Sequence, residues 1–263
     1  MATDECVERA ARSLHAAWRD HARIAHLPPD ARPATRADGY RVQSRLVTLS
    51  GDRPVGWKIA ATSVAGQRHI GVPGPLAGRI LATTTYADAA TVAIGANALR
   101  VAEAEFGFLI GRPVDGDPED PPGVAAVIDA VQAIFPAIEL PDSRFLDVTG
   151  AGEAQLVADL ACAGPIVTGP PVADGWRDRD LAAHEVRMSR DGKVVATGRG
   201  ANALGDPRIA LAWLAAELLR HGCRLEAGDL VITGTCVTPV PVGEGQRLVA
   251  DFGALGTVSV TLA

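Results

Sequence analysis

The ten-residue run Val101-Ala102-Glu103-Ala104-Glu105-Phe106-Gly107-Phe108-Leu109-Ile110 constrains the fold more than any other segment. It is apolar apart from two acids and rich in strand formers, so it reads as a β-strand whose side chains alternate between faces. Glu103 and Glu105 then share one face with Gly107, while Ala102, Ala104, Phe106 and Phe108 take the other. Two neighbouring carboxylates on such a strand repel unless they are protonated or neutralised. A divalent cation neutralises both and suits oxygen ligands. An acid pair at this spacing can also be the solvated face of an antiparallel sheet, but such a face should continue polar. Here Val101, Gly107 and Leu109 continue it without charge. A third acid, Glu139, ends another apolar run, Ala133 to Leu140, and three such carboxylates point to a hard-metal site.

The rest of the chain is built to bury a sizeable core. Its 263 residues fit one large domain, or one domain with a small N-terminal appendage. We expect a helical N-terminal segment over 1–53 and a strand-rich domain over 54–263. Only eleven residues are aromatic while Ala and Gly abound, which favours close backbone packing. The net charge of −6, with no basic stripe, argues against a nucleic-acid partner. No apolar stretch is long enough for a membrane span, and Met1 to Arg12 has no signal-peptide core. Cys6, Cys162, Cys223 and Cys236 are scattered, without a Cys-x-x-Cys, so reduced thiols and a cytoplasmic protein are expected.

Periodicity predicts helices over Glu8 to Ile24 and Arg36 to Leu49, the second capped by Thr35 and separated from the first by the proline-rich connector Leu27 to Pro33. Strands are predicted at Val55 to Ala60, Arg79 to Ala82, Thr91 to Ile94 and Ala133 to Leu140, with a helix at Val124 to Gln132. A hairpin follows, Glu185 to Ser189 and Lys193 to Thr197, joined by a turn at Arg190-Asp191-Gly192. Pro207 opens a helix that runs to His221 and ends at Gly222. Strands at Leu230 to Thr233, Arg247 to Phe252 and Thr257 to Leu262 close the chain. Many strands with few intervening helices indicate α+β with a folded, barrel-like sheet.

Gly198-Arg199-Gly200 follows a strand and precedes a helix, but the helix starts too late for a dinucleotide loop and the strand is a hairpin arm. There is no phosphate loop and no nucleophile elbow, and the histidines form no metal-like pair. Lys58 interrupts the strand Val55 to Ala60 and points away from the face of Trp57 and Ile59. It either snorkels to solvent or, beside a metal site, binds an anionic substrate or stabilises an enolate. Thr233-Gly234-Thr235, ending an apolar strand, is either a carboxylate cradle or a plain turn.

Taken together, Gly56-Trp57-Lys58-Ile59-Ala60-Ala61-Thr62-Ser63, Glu103-Ala104-Glu105, Pro136-Ala137-Ile138-Glu139, Asp142-Ser143-Arg144-Phe145, Gly198-Arg199-Gly200, Leu225-Glu226-Ala227-Gly228-Asp229 and Ala250-Asp251-Phe252-Gly253 resemble, in order and spacing, the fumarylacetoacetate hydrolase superfamily, in its 2-keto-4-pentenoate hydratase and 4-oxalocrotonate decarboxylase branch. The resemblance covers roughly Pro54 to Leu262. It implies a mixed β-sandwich roll around one Mg²⁺ or Mn²⁺ held by Glu103, Glu105 and Glu139, in a homo-oligomer. It also implies that Lys58 and Ser63 act in catalysis, and that both, with Thr233, Gly234 and Thr235, contact a small 2-oxo acid.

The chemistry so implied is a lyase reaction in aromatic-compound catabolism: hydration of a 2-hydroxydienoic acid through an enolate held by the metal. Decarboxylation of a 4-oxalocrotonate-type acid and C–C hydrolysis of an acylpyruvate are alternatives, as is a non-catalytic metabolite-binding or scaffold protein. Two positions depart from the branch, which tends to have an acid where Leu76 stands and an Asn where Leu160 stands.

Overall fold

The computed structural model describes residues 2–263. The chain opens with two helices, α1 (Asp4–Arg19) and α2 (Arg36–Ser50), then β1 (Pro54–Ala60), α3 (Val64–His69) and β2 (Leu76–Leu81). Next come β3 (Thr85–Ala87), β4 (Ala90–Val92), β5 (Val101–Ile110), α4 (Val124–Asp129) and β6 (Val131–Glu139). The middle of the chain holds α5 (Val148–Ala151), α6 (Glu153–Ala158), β7 (Ile166–Thr168), β8 (Glu185–Arg190) and β9 (Lys193–Arg199). Helix α7 (Pro207–Arg220) precedes β10 (Leu230–Thr235), β11 (Val240–Pro241), β12 (Arg247–Asp251) and β13 (Thr257–Leu262).

Two sheets result, and both mix parallel and antiparallel pairs. One has the order β2-β1-β10-β5-β6-β7-β3, with β11 continuing the β10 edge of β5, and the other runs β4-β13-β12-β8-β9. This is the expected α+β roll with helices at its N-terminus. The alternation read from sequence sets how the sheets meet. Ala102, Ala104, Phe106 and Phe108 lie in the main core with Ile138, Val186, Met188, Leu248, Ala250, Val258 and Val260. The opposite face of β5 carries the two acids. A second core joins α1 and α2 to Leu76, Leu81, Phe145 and the segment Leu156 to Ala161.

Several boundaries differ from expectation for local reasons. Helix α1 starts at Asp4 rather than Glu8, because Thr3 accepts from the Cys6 amide and two acids occupy the first turn. It stops at Arg19 rather than Ile24, since His21 takes a left-handed φ of 50°. Strand β2 begins at Leu76 rather than Arg79, its register with β1 running from Leu76 opposite Ala60. Helix α4 ends at Asp129, because Val131 already pairs with Ile110. The cap at Thr35 and the turn at Asp191-Gly192 are as expected. The short elements α3, α5, α6, β3, β7 and β11 are too brief to leave a periodic signal.

Candidate metal centre

Strand register alone brings the three acids together. In the antiparallel pair β5–β6, Glu103 stands directly opposite Glu139, and Glu105 opposite Ala137. On its other side Glu105 pairs with Thr235 of β10. One carboxylate oxygen from each of Glu103, Glu105 and Glu139 lies within 4.8 Å of the others. Glu105 and Glu139 are fully buried and Glu103 is half-buried.

Lys58 reaches this cluster from β1. It is 2% exposed, which rules out snorkelling. Its Nζ lies 3.2 Å from Glu139 Oε2 and donates to the Ala161 carbonyl at 3.1 Å. Burial works against the ammonium, but Glu139, then Glu103 and Glu105, outweigh it and hold the pKa above the usual lysine value. Burial pushes the carboxylates the other way. Glu103 is raised to about 7 by desolvation and then by Glu139, and Glu105 is raised well above its ordinary value by the same causes. Glu139 is also raised by burial, with Lys58 opposing.

The donor set fits a divalent cation. Three ionised carboxylates and one ammonium leave a net charge of −2, which a divalent ion cancels. All the donors are oxygens, the preference of hard cations. Glu105 Oε1 and Glu139 Oε1 are buried without a hydrogen-bond partner among the described residues, and Glu139 Oε2 has only the Lys58 ammonium beside it. Buried polar atoms left so are uncommon and call for a ligand or ion. No other group of His, Cys, Asp or Glu among the described residues converges in this way.

The remaining candidates are distributed unevenly. The Gly234 amide donates to Glu105 Oε2 at 2.7 Å, so it orients a carboxylate of the protein rather than lying exposed. Gly234 has φ +98°, and a Cβ there would sit 2.1 Å from Thr62 Oγ1. Thr233 Oγ1 donates to the Phe106 carbonyl, and Thr235 Oγ1 to that of Val237. Ser63 is exposed and caps α3, its hydroxyl accepting from the Gly66 amide. Leu76 is fully buried in the helical core, and Leu160 is buried with a left-handed φ of 56°.

Sequence reasoning missed the Ala161 carbonyl and the buried Asp159, which stands alone in the apolar run Leu156 to Ala163. That isolation is the available signal, of the same kind that marks Glu139. The only His–Glu ion pair among the described residues, His221 with Glu217 at 3.4 Å, belongs to a network with Arg36 and Tyr40.

Comparison with known proteins gives a consistent picture. Residues 59–263 match the family model described as fumarylacetoacetate (FAA) hydrolase C-terminal. A 2-keto-4-pentenoate hydratase of Paraburkholderia xenovorans is 34% identical over 95% of this chain and 93% of its own. A 2-hydroxyhexa-2,4-dienoate hydratase of Comamonas testosteroni is 30% identical over 99% and 98%. Among solved structures, 4-oxalocrotonate decarboxylase from Pseudomonas putida, complexed with magnesium and adipate, superposes with a TM-score of 0.89 at 29% identity. That superposition covers 100% of this chain and 99% of the other, and the same enzyme has been solved with calcium and acetate. The similarity therefore extends through the N-terminal helices, beyond the Pro54 boundary read from motifs.

Proposed function

The chain belongs to the fumarylacetoacetate hydrolase family, and we propose that it is a divalent-metal-dependent lyase of small unsaturated 2-oxo acids. Its reaction is hydration of a 2-keto-4-pentenoate-type substrate: the dienol is ketonised, and the H and OH of water add across the remaining double bond. The observation that carries this reading is the convergence of Glu103, Glu105 and Glu139 beside the buried Lys58, with Glu105 Oε1 and Glu139 Oε1 buried and unpartnered.

In this reading Glu103, Glu105 and Glu139 hold the ion, proposed as Mg²⁺ or Mn²⁺. The bound cation supplies Lewis-acid stabilisation of the negative charge that develops as the 2-oxo acid passes through its enolate. Gly234 fixes the rotamer of Glu105 through its amide. Lys58 binds the anionic head of the substrate. Its ammonium has three donors, and the contacts with Glu139 and Ala161 leave one free. Ser63 uses its hydroxyl only as an acceptor in the helix cap, so its proton is proposed as a second donor to substrate. Thr235, opposite Glu105, is proposed to line the same space with Thr233 and Gly234. The low-dielectric wall beneath the acids strengthens each of these interactions.

Decarboxylation of a 4-oxalocrotonate-type acid is the second reading, favoured by the similar decarboxylase structure and by Leu76 and Leu160. The reading also includes a homo-oligomer in the cytoplasm. A reducing compartment is supported by four cysteines free of disulfides, and no helix among the described residues is long and apolar enough to cross a membrane.

NMR of the purified protein with Mg²⁺ and 2-hydroxypenta-2,4-dienoate, with 4-oxalocrotonate in a parallel tube, tests the proposal. A 4-hydroxy-2-oxo product in the first tube, lost in Glu105→Gln, is expected. CO₂ release in the second tube alone would replace hydration by decarboxylation. No turnover in either tube would sink both.

A further inference from the structure

Leu160, Ala161 and Cys162 take φ values of 56°, 50° and 62°, three successive left-handed residues with none a glycine. L-residues adopt this conformation singly and at a cost, so a run of three persists only where its surroundings force it. Leu160 and Ala161 are buried, and the carbonyl that this turn exposes inward, that of Ala161, accepts from Lys58 Nζ at 3.1 Å.

The forcing group is Asp159, which is completely buried. Its carboxylate forms an ion pair with Arg144 Nε and accepts from Ser143 Oγ at 2.7 Å and the Arg144 amide at 2.9 Å. Its carbonyl accepts from Arg144 Nη2 at 2.6 Å and from the Cys162 amide at 3.1 Å. The Asp142 amide closes the other end by donating to the Cys162 carbonyl at 3.0 Å. The turn thus hangs between two points of the segment Asp142 to Arg144. It lies against Gly78, the cross-strand partner of Lys58, where a Cβ would sit 1.8 Å from the Leu160 carbonyl oxygen.

We infer that the Arg144–Asp159 pair is a positioning device for Lys58, holding the left-handed turn whose Ala161 carbonyl keeps the ammonium at the edge of the acid cluster and aimed at substrate. Without that acceptor the ammonium keeps its contact with Glu139 but loses the anchor that aims its free donor at substrate. The inference rests on the proposed role of Lys58 toward an anionic substrate. Arg144, Asp159 and Gly78 are positioning residues, acting through the turn.

The test is a double-mutant cycle on the full chain loaded with Mn²⁺, using oxalate as a mimic of the 2-oxo acid head. Titration calorimetry reads the oxalate Kd, and a separate titration of the metal-free protein reads the Mn²⁺ Kd. Gly78→Ala pushes on the turn without touching the site. Losing a hydrogen bond between charged groups weakens binding by roughly 10- to 100-fold, so a loss of at least about tenfold in oxalate affinity is expected. Mn²⁺ affinity should stay within about twofold, and in a Lys58→Met background Gly78→Ala should change oxalate affinity by no more than about twofold.

Equal losses in both backgrounds, or no loss in the wild-type background, would overturn the positioning role while leaving Lys58 as a substrate contact. If the Mn²⁺-loaded wild type and Lys58→Met bind oxalate equally, the role of Lys58 falls, and the inference with it. Should Gly78→Ala not fold, Arg144→Lys, which keeps the charge but not the fork of donors, takes its place in the cycle.

Discussion

Glu103 and Glu139 face each other directly across the antiparallel pair β5–β6, and Lys58 is the cation that offsets their charge and that of Glu105. Like charges directly opposite on a sheet are destabilising. The metal-free protein relieves this by holding protons, as the upward shift of Glu103 to about 7 indicates. The sign follows. Between the ordinary carboxyl value of 4.5 and about 7 the folded state binds more protons than the unfolded one, so metal-free stability contributed by this group falls as pH rises through that window. Thermal melts without metal should show this decline, and Glu103→Gln should flatten it; parallel curves for the two proteins would remove Glu103 as its source. Divalent-ion affinity should climb over the same interval, with protons released on binding.

Lys58→Met separates the two halves of the site. It removes a buried cation beside three carboxylates, so the affinity for a divalent ion should hold or tighten while turnover falls by at least about 10²-fold. Steady-state kinetics beside Mn²⁺ titration checks it. Unchanged kinetics would remove Lys58 from the reaction.

A different cluster holds the helices to the roll. Glu217 on α7 accepts from Arg36 Nη1 at 2.7 Å and from Tyr40 OH at 3.0 Å, while Arg36 also pairs with Glu153 and donates to the Pro75 carbonyl. Glu217→Gln should therefore cost about 1–3 kcal/mol, the range for leaving buried partners of a charged group poorly satisfied. For a chain of this size that is a fall in Tm of several degrees, roughly 2–4 °C per kcal/mol. Mn²⁺ affinity should not change; a melt that matches the wild type would show that Arg36 and Tyr40 are satisfied without Glu217.

The acids are legible in the sequence because charge is conspicuous in an apolar strand. Alternation alone puts Glu103 and Glu105 on one face of β5, and Glu139 stands out in its own apolar run; only the cross-strand register that joins them is lacking. Lys58 is legible as an interruption but not as buried, because it is met by the Ala161 carbonyl of the turn that follows α6. Ala161 leaves no trace. Its contribution is a backbone carbonyl presented by a left-handed turn, and no side chain in Leu160-Ala161-Cys162 signals that conformation. Gly234 is a different case: its segment reads as either a carboxylate cradle or a plain turn, and its amide donates to Glu105. Distinguishing an amide that faces a ligand from one that faces a protein carboxylate needs the register of β10 on β5, which has an irregularity between Ile232 and Thr235.

That irregularity supports a last prediction. Gly234 adopts φ +98°, which an alanine takes only under strain, and the added Cβ would meet Thr62 Oγ1 at 2.1 Å. Relief requires the 233–235 backbone to move, and its first casualty is the 2.7 Å bond to Glu105 Oε2. Glu105 is fully buried and its other oxygen has no partner among the described residues, so loss of this bond frees the carboxylate to rotate away from Glu103 and Glu139. A charge-assisted hydrogen bond contributes about 1.5–3 kcal/mol, so Gly234→Ala should weaken Mn²⁺ binding by roughly 10- to 100-fold. The global fold should survive, because the main core between the sheets lies on the other face of β5. Mn²⁺ titration followed by electron paramagnetic resonance measures the first, and circular dichroism the second. A folded Gly234→Ala protein that binds Mn²⁺ as tightly as wild type would show that Glu105 is placed by its strand alone and that the amide is free for substrate.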